Sequence, residues 1–316
     1  MKIQHNQIIE EAKKRNYQVT DVSEMLGTLA ATIEKDGKSE LIYEGTPLSR
    51  INLRSLQYFD NKQLGKLACS KLNIPSPQSI LFQNPKDKSL ESFFGKNKKY
   101  VCKPPAGSEG VGVEMNFTNL EAIEDYWNRN QHLGPVFMLE EQIEGEDLRM
   151  QVVGGKIIAA CTREPAFVIG DGTNNLNQLI ENRQKVIKSQ NPMNDLVVDK
   201  ATLDLLEKQN LDLSDIPVAG QKVVLKELAN MSQGAVAIDK MDDLHERYQI
   251  WIDQLVEYLE VDYFAIDFIT KSFTEDPATN AILLEINAKP EWLHHTFSEN
   301  RQHDIAAIVL DDVFEK

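Results

Sequence analysis

Two apolar runs near the C-terminus, Tyr263–Thr270 and Asn280–Asn287, are each broken by acidic or amide side chains. Asp267 interrupts Phe264-Ala265-Ile266 and Phe268-Ile269, and Glu285 and Asn287 interrupt Ala281–Leu284 and Ile286. Such runs predict strands, and the period of two along a strand puts Glu285 and Asn287 on one face. A carboxylate set in an apolar strand is costly unless something compensates it, and a divalent cation does so well. Mg2+ takes oxygen ligands, usually one or two carboxylates together with phosphate oxygens of a substrate. One such acid alone reads as a strand end facing solvent. Asp267, Glu285 and Asn287 together predict a metal site.

The rest of the chain must supply a core around these strands. Strand-like and helix-like segments alternate irregularly over the 316 residues, which predicts a mixed α/β (α+β) protein of two domains or one large enzyme fold. Ile8, Ile9 and Ala12 share one side of an early helix. Thr28–Ile33 and Ser39–Tyr43 flank Asp36-Gly37, a hairpin signal, and Val152-Val153 and Ile157-Ile158 flank Gly154-Gly155 in the same way. A helix is predicted from about Asn61, with Leu64, Leu67, Ala68 and Leu72 at helical spacing, and Pro75 and Pro77 stop it. Thr118 and Glu121 make a capping-box pattern ahead of Leu120, Ile123 and Trp127. Strands are predicted at Tyr100–Lys103 and Val136–Glu140. A long amphipathic helix is predicted through Leu244, Tyr248, Trp251, Leu255 and Leu259, and a final one carries Ile305, Ile308, Val309 and Val313. Three regions are expected: residues 1–60, 61–146 and 147–316.

Charge and cysteines exclude several classes. Lys plus Arg number 34 against 49 Asp plus Glu, a net charge of −15, which argues against a protein built to hold nucleic acid. No run approaches the roughly 18 apolar residues that would span a bilayer. Cys69, Cys102 and Cys161 are isolated and odd in number, so reduced thiols and a cytoplasmic location are expected.

Three further motifs could carry chemistry. Lys103-Pro104-Pro105-Ala106-Gly107-Ser108-Glu109-Gly110-Val111-Gly112 is a glycine-rich loop between strands, able to cradle phosphates but equally readable as a hairpin turn. Lys62, Lys103 and Arg163 lie beside these elements as candidate phosphate partners. Glu140, at a strand end, is followed by Gly145 and Asp147, where backbone groups could meet an adenine edge and a carboxylate a ribose, although an exposed acidic turn would look the same. The histidines show no zinc-like spacing, and His294-His295 reads as loop structure or a substrate-side contact.

Taken in order, these segments resemble the ATP-grasp superfamily, and within it the ATP-grasp module of cyanophycin synthetases. Asp60-Asn61-Lys62-Gln63-Leu64-Gly65-Lys66 is similar to the family's Asp-Lys helix start with one extra Asn. Lys103 through Val113 resembles the lysine strand and phosphate-covering loop, and Glu140 through Arg149 resembles the adenine hinge, the ribose acid and the arginine beyond it. Arg163-Glu164-Pro165-Ala166 with Gly170-Asp171-Gly172, and Ala229-Asn230-Met231-Ser232-Gln233-Gly234, are similar to cyanophycin-type stretches. Asp267, Glu285 and Asn287 fall on the superfamily's metal positions, and His295 matches a histidine further along that motif. Lys226 stands where the subgroup usually has arginine, Ala235 where a second glycine is usual, and Glu291 where glycine follows Pro290.

The resemblance implies an ATP-dependent carboxylate–amine ligase that joins amino acids or small peptides through an acyl phosphate and releases ADP and phosphate. It implies ATP with Mg2+, or Mn2+ in its place, as cofactors, and a homo-oligomer. Lys62, Lys103, Gly107, Ser108, Gly110, Gly112, Glu140, Glu141, Ile143 and Asp147 would hold the nucleotide. Arg163, Asn230 and Lys226 would be catalytic, with Asp267, Glu285 and Asn287 on the metal. Glu291 is expected to face a cationic group of the incoming amine, or else to be merely solvated. The ATP-grasp half of bifunctional glutathione synthetases shares much of the pattern, so a ligase of γ-glutamylcysteine and glycine is the alternative. A non-catalytic ATP-binding module is the other. The chain is too short for the Mur-ligase-like half of a cyanophycin synthetase, so a stand-alone ligase is expected.

Overall fold

A computed structural model of the chain describes residues 2–95, 97–107, 111–191, 194–227, 229 and 231–315. The described strands form four sheets, every pairing antiparallel, so the mixed class resolves to α+β.

The central sheet has the order Val236–Asp239, Lys156–Glu164, Glu146–Val153, Phe264–Thr270, Ala281–Asn287. Its register puts Asp267 opposite Arg149 on one side and Glu285 on the other. Cys161 pairs with Arg149, so Arg163, two residues on, shares that face. The alternate residues, among them Leu148, Met150, Phe264, Ile266 and Phe268, are fully buried against Trp251, Ile252 and Leu255 of the helix Arg247–Leu259. One face is therefore core, and the other carries the charges.

A second sheet, ordered Ser79–Phe82, Phe137–Glu141, Tyr100–Lys103, Glu114–Phe117, lies next along the chain. Residues 142–145 link it to the central sheet. The link turns at Gly145, whose φ is 153° and where a Cβ would lie 2.6 Å from the Thr270 carbonyl oxygen. The N-terminal helix Lys2–Lys14 and a four-stranded meander pack Ile8, Ala12, Ile33 and Ile42 against Val153, Tyr263 and Trp292, and against Ile305 and Val309 of the last helix, Ile305–Phe314. Both predicted hairpin turns form: Asp36 and Gly37 have φ of 50° and 82°, and Gly154 and Gly155 of 58° and 74°.

Local expectations shift at several points. Helix Leu53–Asp60 runs up to the helix Lys62–Lys71, and Asn61 caps the second by accepting from the Gln63 and Leu64 N–H groups. The buried side of that second helix is Gly65, Lys66, Ala68 and Cys69; of the expected apolar positions Ala68 is buried, Leu72 packs on the core and Leu64 is half-buried, while Leu67 is exposed and falls off the face. Asn119, not Thr118, caps the helix Leu120–Asn130, because it is the Asn119 side chain that accepts from Ala122 N–H. The strand expected from Val136 is Phe137–Glu141, and the long helix begins at Arg247, past Leu244.

Candidate active site

On the charged face of the central sheet Asp267 is 2% exposed and takes three donors. Arg149 Nη1 donates to its Oδ2 at 2.6 Å, Arg163 Nη2 to its Oδ1 at 2.9 Å, and Asn287 Nδ2 to its Oδ2 at 2.8 Å. Arg163 also clasps Asp147 with Nε and Nη2, each at 2.6 Å. Burial alone would lower the Arg163 pKa, but Asp267 and Asp147 outweigh it and hold the guanidinium firmly charged. Burial pushes the Asp147 carboxyl upward against the pull of Arg163. Glu285, half-exposed, pairs with Lys62 Nζ at 3.3 Å, and the same ammonium donates to the Gly107 carbonyl at 2.9 Å. Lys62 thus ties the carboxylate face to the start of the glycine loop. Its backbone N–H bonds the Pro105 carbonyl at 3.1 Å.

A second charged group sits in the neighbouring sheet. Glu140 is 2% exposed and is held by two lysines, Lys103 at 2.7 Å and Lys66. Ile143, half-buried in the link between the sheets, offers a backbone N–H and C=O with no hydrogen-bond partner among the described residues. Glu141 instead points to Lys98, at 2.8 Å.

At the glycine loop, Gly107 and Gly112 have φ of 122° and 71°, and Tyr126 Oη donates to the Gly112 carbonyl at 2.6 Å. Ser108, Gly110 and Asn230 lie outside the described residues. Lys226 is bound at 2.7 Å to Asp199, the cap of helix Lys200–Lys208, its one ion pair among the described residues. The Glu291 side chain is exposed, while its carbonyl accepts from Arg149 Nη2 at 3.5 Å. Behind Arg149 the rings of His294 and His295 are buried, and burial, reinforced by Arg149 and Arg163, keeps both neutral.

Among the described residues no three His, Cys, Asp or Glu side chains gather as a complete metal cage. The oxygen donors Asp267, Glu285 and the Asn287 side-chain carbonyl, which has no hydrogen-bond partner among the described residues, suit a hard divalent ion that completes its shell from a substrate. Their negative charge is met here by Arg149, Arg163 and Lys62.

Known proteins are similar to this chain over most of its length. A cyanophycin synthetase of Synechocystis sp. is 29% identical over 282 residues, covering 86% of this chain and 32% of that protein. The glutathione biosynthesis bifunctional protein GshAB of Listeria welshimeri is 27% identical over 294 residues, covering 89% of this chain and 37% of that protein. A bifunctional glutathione synthetase from Pasteurella multocida superposes with a TM-score of 0.75 at 20% identity, over 99% of this chain and 43% of that one. The ATP-grasp ligase PsnB gives 0.50 at 12% identity, over 84% and 62%. The chain has the ATP-grasp fold. It spans about a third of the length of the curated relatives it matches, and no protein-family profile matches it.

Within this ATP-grasp fold the structure forms two contact groups, Lys62 with Gly107 and Glu285, and Arg163 with Asp147, Asp267 and Asn287, and the strand pairing of Asp267 with Glu285 brings them side by side. Lys103 and Glu140 form a separate pair beside them, and Lys226 stands apart with Asp199. Two contributors stand in the sequence reading only inside longer motifs and without a role: Arg149 as the arginine beyond the ribose acid, and Lys66 at the end of the Asp60–Lys66 stretch. Their roles have a further signal in the period-two relation of Arg149 to Asp147 on one strand and the period-four relation of Lys66 to Lys62 on one helix.

Proposed function

We propose that the chain is an ATP-dependent carboxylate–amine ligase that joins amino acids or small peptides and releases ADP and phosphate. The observation that carries this reading is the convergence of Asp267, Glu285 and Asn287 on one sheet face with Lys62 bridging Glu285 to the glycine loop. A hard divalent cation, Mg2+ or Mn2+, would draw charge from the phosphates and align them when bound by those three residues.

The remaining work falls to this chain's own groups. The unpartnered N–H and C=O of Ile143, next to Glu140 and Glu141, suit an adenine edge, and Asp147 suits ribose hydroxyls once Arg163 loosens its grip. Lys62 and Lys103 offset phosphate charge. The loop through Gly107, Ser108, Gly110 and Gly112 excludes water, which would hydrolyse an acyl phosphate. Arg163 stabilises charge on the transferred phosphoryl group. Asn230 and Lys226 belong to the acceptor side, where Lys226 would have to leave Asp199. The relatives' names support amino-acid or peptide substrates, and the same reading extends to a cytoplasmic homo-oligomer.

Phosphate release with Mg2+-ATP across a panel of amino-acid and dipeptide pairs tests the reaction. The correct acid with ATP and hydroxylamine should give a hydroxamate without its natural amine. AMP and pyrophosphate as products would discard the acyl-phosphate route, and nucleotide binding without turnover would leave a non-catalytic module. The likeness to GshAB favours one alternative substrate pair, γ-glutamylcysteine plus glycine, which the same panel separates.

A further inference from the structure

Glu140 is one carboxylate shared by two buried lysines, and the two are not equivalent. Lys66, 7% exposed, comes from the helix Lys62–Lys71 and is packed among three acceptors. Besides Glu140 Oε2 these are the Pro77 carbonyl at 3.4 Å and Met138 Sδ at 3.8 Å. Lys103 stands at the end of its strand, immediately before the glycine loop, and Glu140 Oε1 is its one partner among the described residues. The register pairs Val101 with Glu140, so Lys103 approaches the carboxylate on the diagonal, from the same face. Two ammoniums on one carboxylate leave a buried excess of one positive charge, which calls for an anion.

Building on the ligase reading, we infer that Lys66 is a positioning residue for nucleotide binding. It keeps Glu140 compensated when Lys103 turns to the phosphates, so that Lys103 is released without stranding a buried carboxylate. An ion pair of one lysine and one carboxylate, cut off from water, would hold Lys103 far more tightly than the shared arrangement does, because breaking it leaves a lone buried charge.

The test is the affinity of the full chain for ADP and for a non-hydrolysable ATP analogue with Mg2+, by titration calorimetry, with the melting temperature read alongside. Lys66→Met should bind both nucleotides at least about tenfold more weakly, the size of one charge-assisted hydrogen bond. Adding Glu140→Gln to Lys66→Met should recover most of that loss, since no carboxylate remains to hold Lys103. A merely structural tie would lower the melting temperature of both variants and give no recovery. If Lys66→Met does not fold, Lys66→Gln, which keeps a donor toward Pro77, should show the same loss and the same rescue. Wild-type affinity in a folded Lys66 variant, or a double variant no tighter than the single, overturns the inference alone. A wild-type chain that binds neither nucleotide overturns the ligase reading and this inference with it.

Discussion

Asp267 and Glu285 carry the same proposed duty in different surroundings, and the difference decides how each should be tested. Asp267 compensates Arg149 and Arg163 inside the protein, so Asp267→Asn removes more than a metal ligand. Breaking a buried pair from one side costs about 3–5 kcal/mol. Glu285 has one ion pair among the described residues, half-exposed, and Glu285→Gln should cost less than about 1 kcal/mol. Both variants should lose ligation, while urea unfolding separates them. A Glu285→Gln protein as active as wild type would remove Glu285 from the metal site. The histidines give a second handle at this scale. Burial holds His294 and His295 well below their ordinary 6.5, so the unfolded chain takes up protons there that the native state refuses. Stability should therefore fall as pH drops through about 6.5, by up to ~1.4 kcal/mol per pH unit for each ring. His295→Gln should flatten that slope by one proton's share between pH 7.5 and 5.5. An unchanged slope would mean that His295 is protonated in the native protein.

Among the elements, the strands were legible because their apolar runs are bounded by turn residues, and the site acids stood out against them. Tyr100–Lys103 falls where its sequence puts it, and both two-residue hairpins close at their glycines. Helix faces were less legible. A buried Lys66 reads as polar in any periodicity, so the apolar spacing leaves it off a face on which Leu64, Ala68 and Leu72 do turn inward and includes the exposed Leu67. The clasp of Arg149 and Arg163 around Asp267 was hidden for another reason: it joins the hairpin Glu146–Val153 and Lys156–Glu164 to a strand far along the chain, Phe264–Thr270, and only the register shows it. The link between the central sheet and the sheet that holds Glu140 rests on a backbone requirement that composition alone does not reveal. Gly145 combines a φ of 153° with a Cβ position 2.6 Å from a carbonyl oxygen, so neither the conformation nor the space suits a side chain. Gly145→Ala should destabilise by about 2 kcal/mol or more, through left-handed strain and displaced backbone. It should also weaken nucleotide binding by shifting Ile143. A neutral effect on both melting temperature and affinity would show that the link relaxes freely.

At the scale of the whole molecule, the N-terminal region is wired to the site through one buried amide. Gln4, fully buried on the first helix, donates Nε2 to the Gly45 carbonyl at 2.9 Å and to the Pro290 carbonyl at 3.2 Å. Its Oε1 accepts from Trp292 N–H at 3.2 Å. It thereby fixes the turn that follows Asn287 and carries the Glu291 carbonyl, itself an acceptor for Arg149. The apolar contacts of Ile8 and Ala12 with Trp292 and the last helix hold the first helix against this turn, so the amide's position is set by packing as well as by its bonds. Gln4→Leu keeps most of the volume but strands two carbonyls and an N–H in a dry interior, at about 1–3 kcal/mol for each group that finds no new partner. Stability should fall by several kcal/mol. Because the same turn positions Arg149 beside Asp267, the catalytic rate with Mg2+-ATP should fall as well, in protein that is still folded at the assay temperature. Gln4→Glu discriminates the two effects. In a dry interior its carboxyl must bind a proton to stay buried, which keeps the acceptor for Trp292 and one donor for the Gly45 or Pro290 carbonyl, so it should keep a larger share of activity than Gln4→Leu at low pH and lose that advantage as rising pH ionises the carboxyl. Equal rates for wild type and Gln4→Leu, measured below both melting transitions, would uncouple the N-terminal region from the site and leave its packing purely structural.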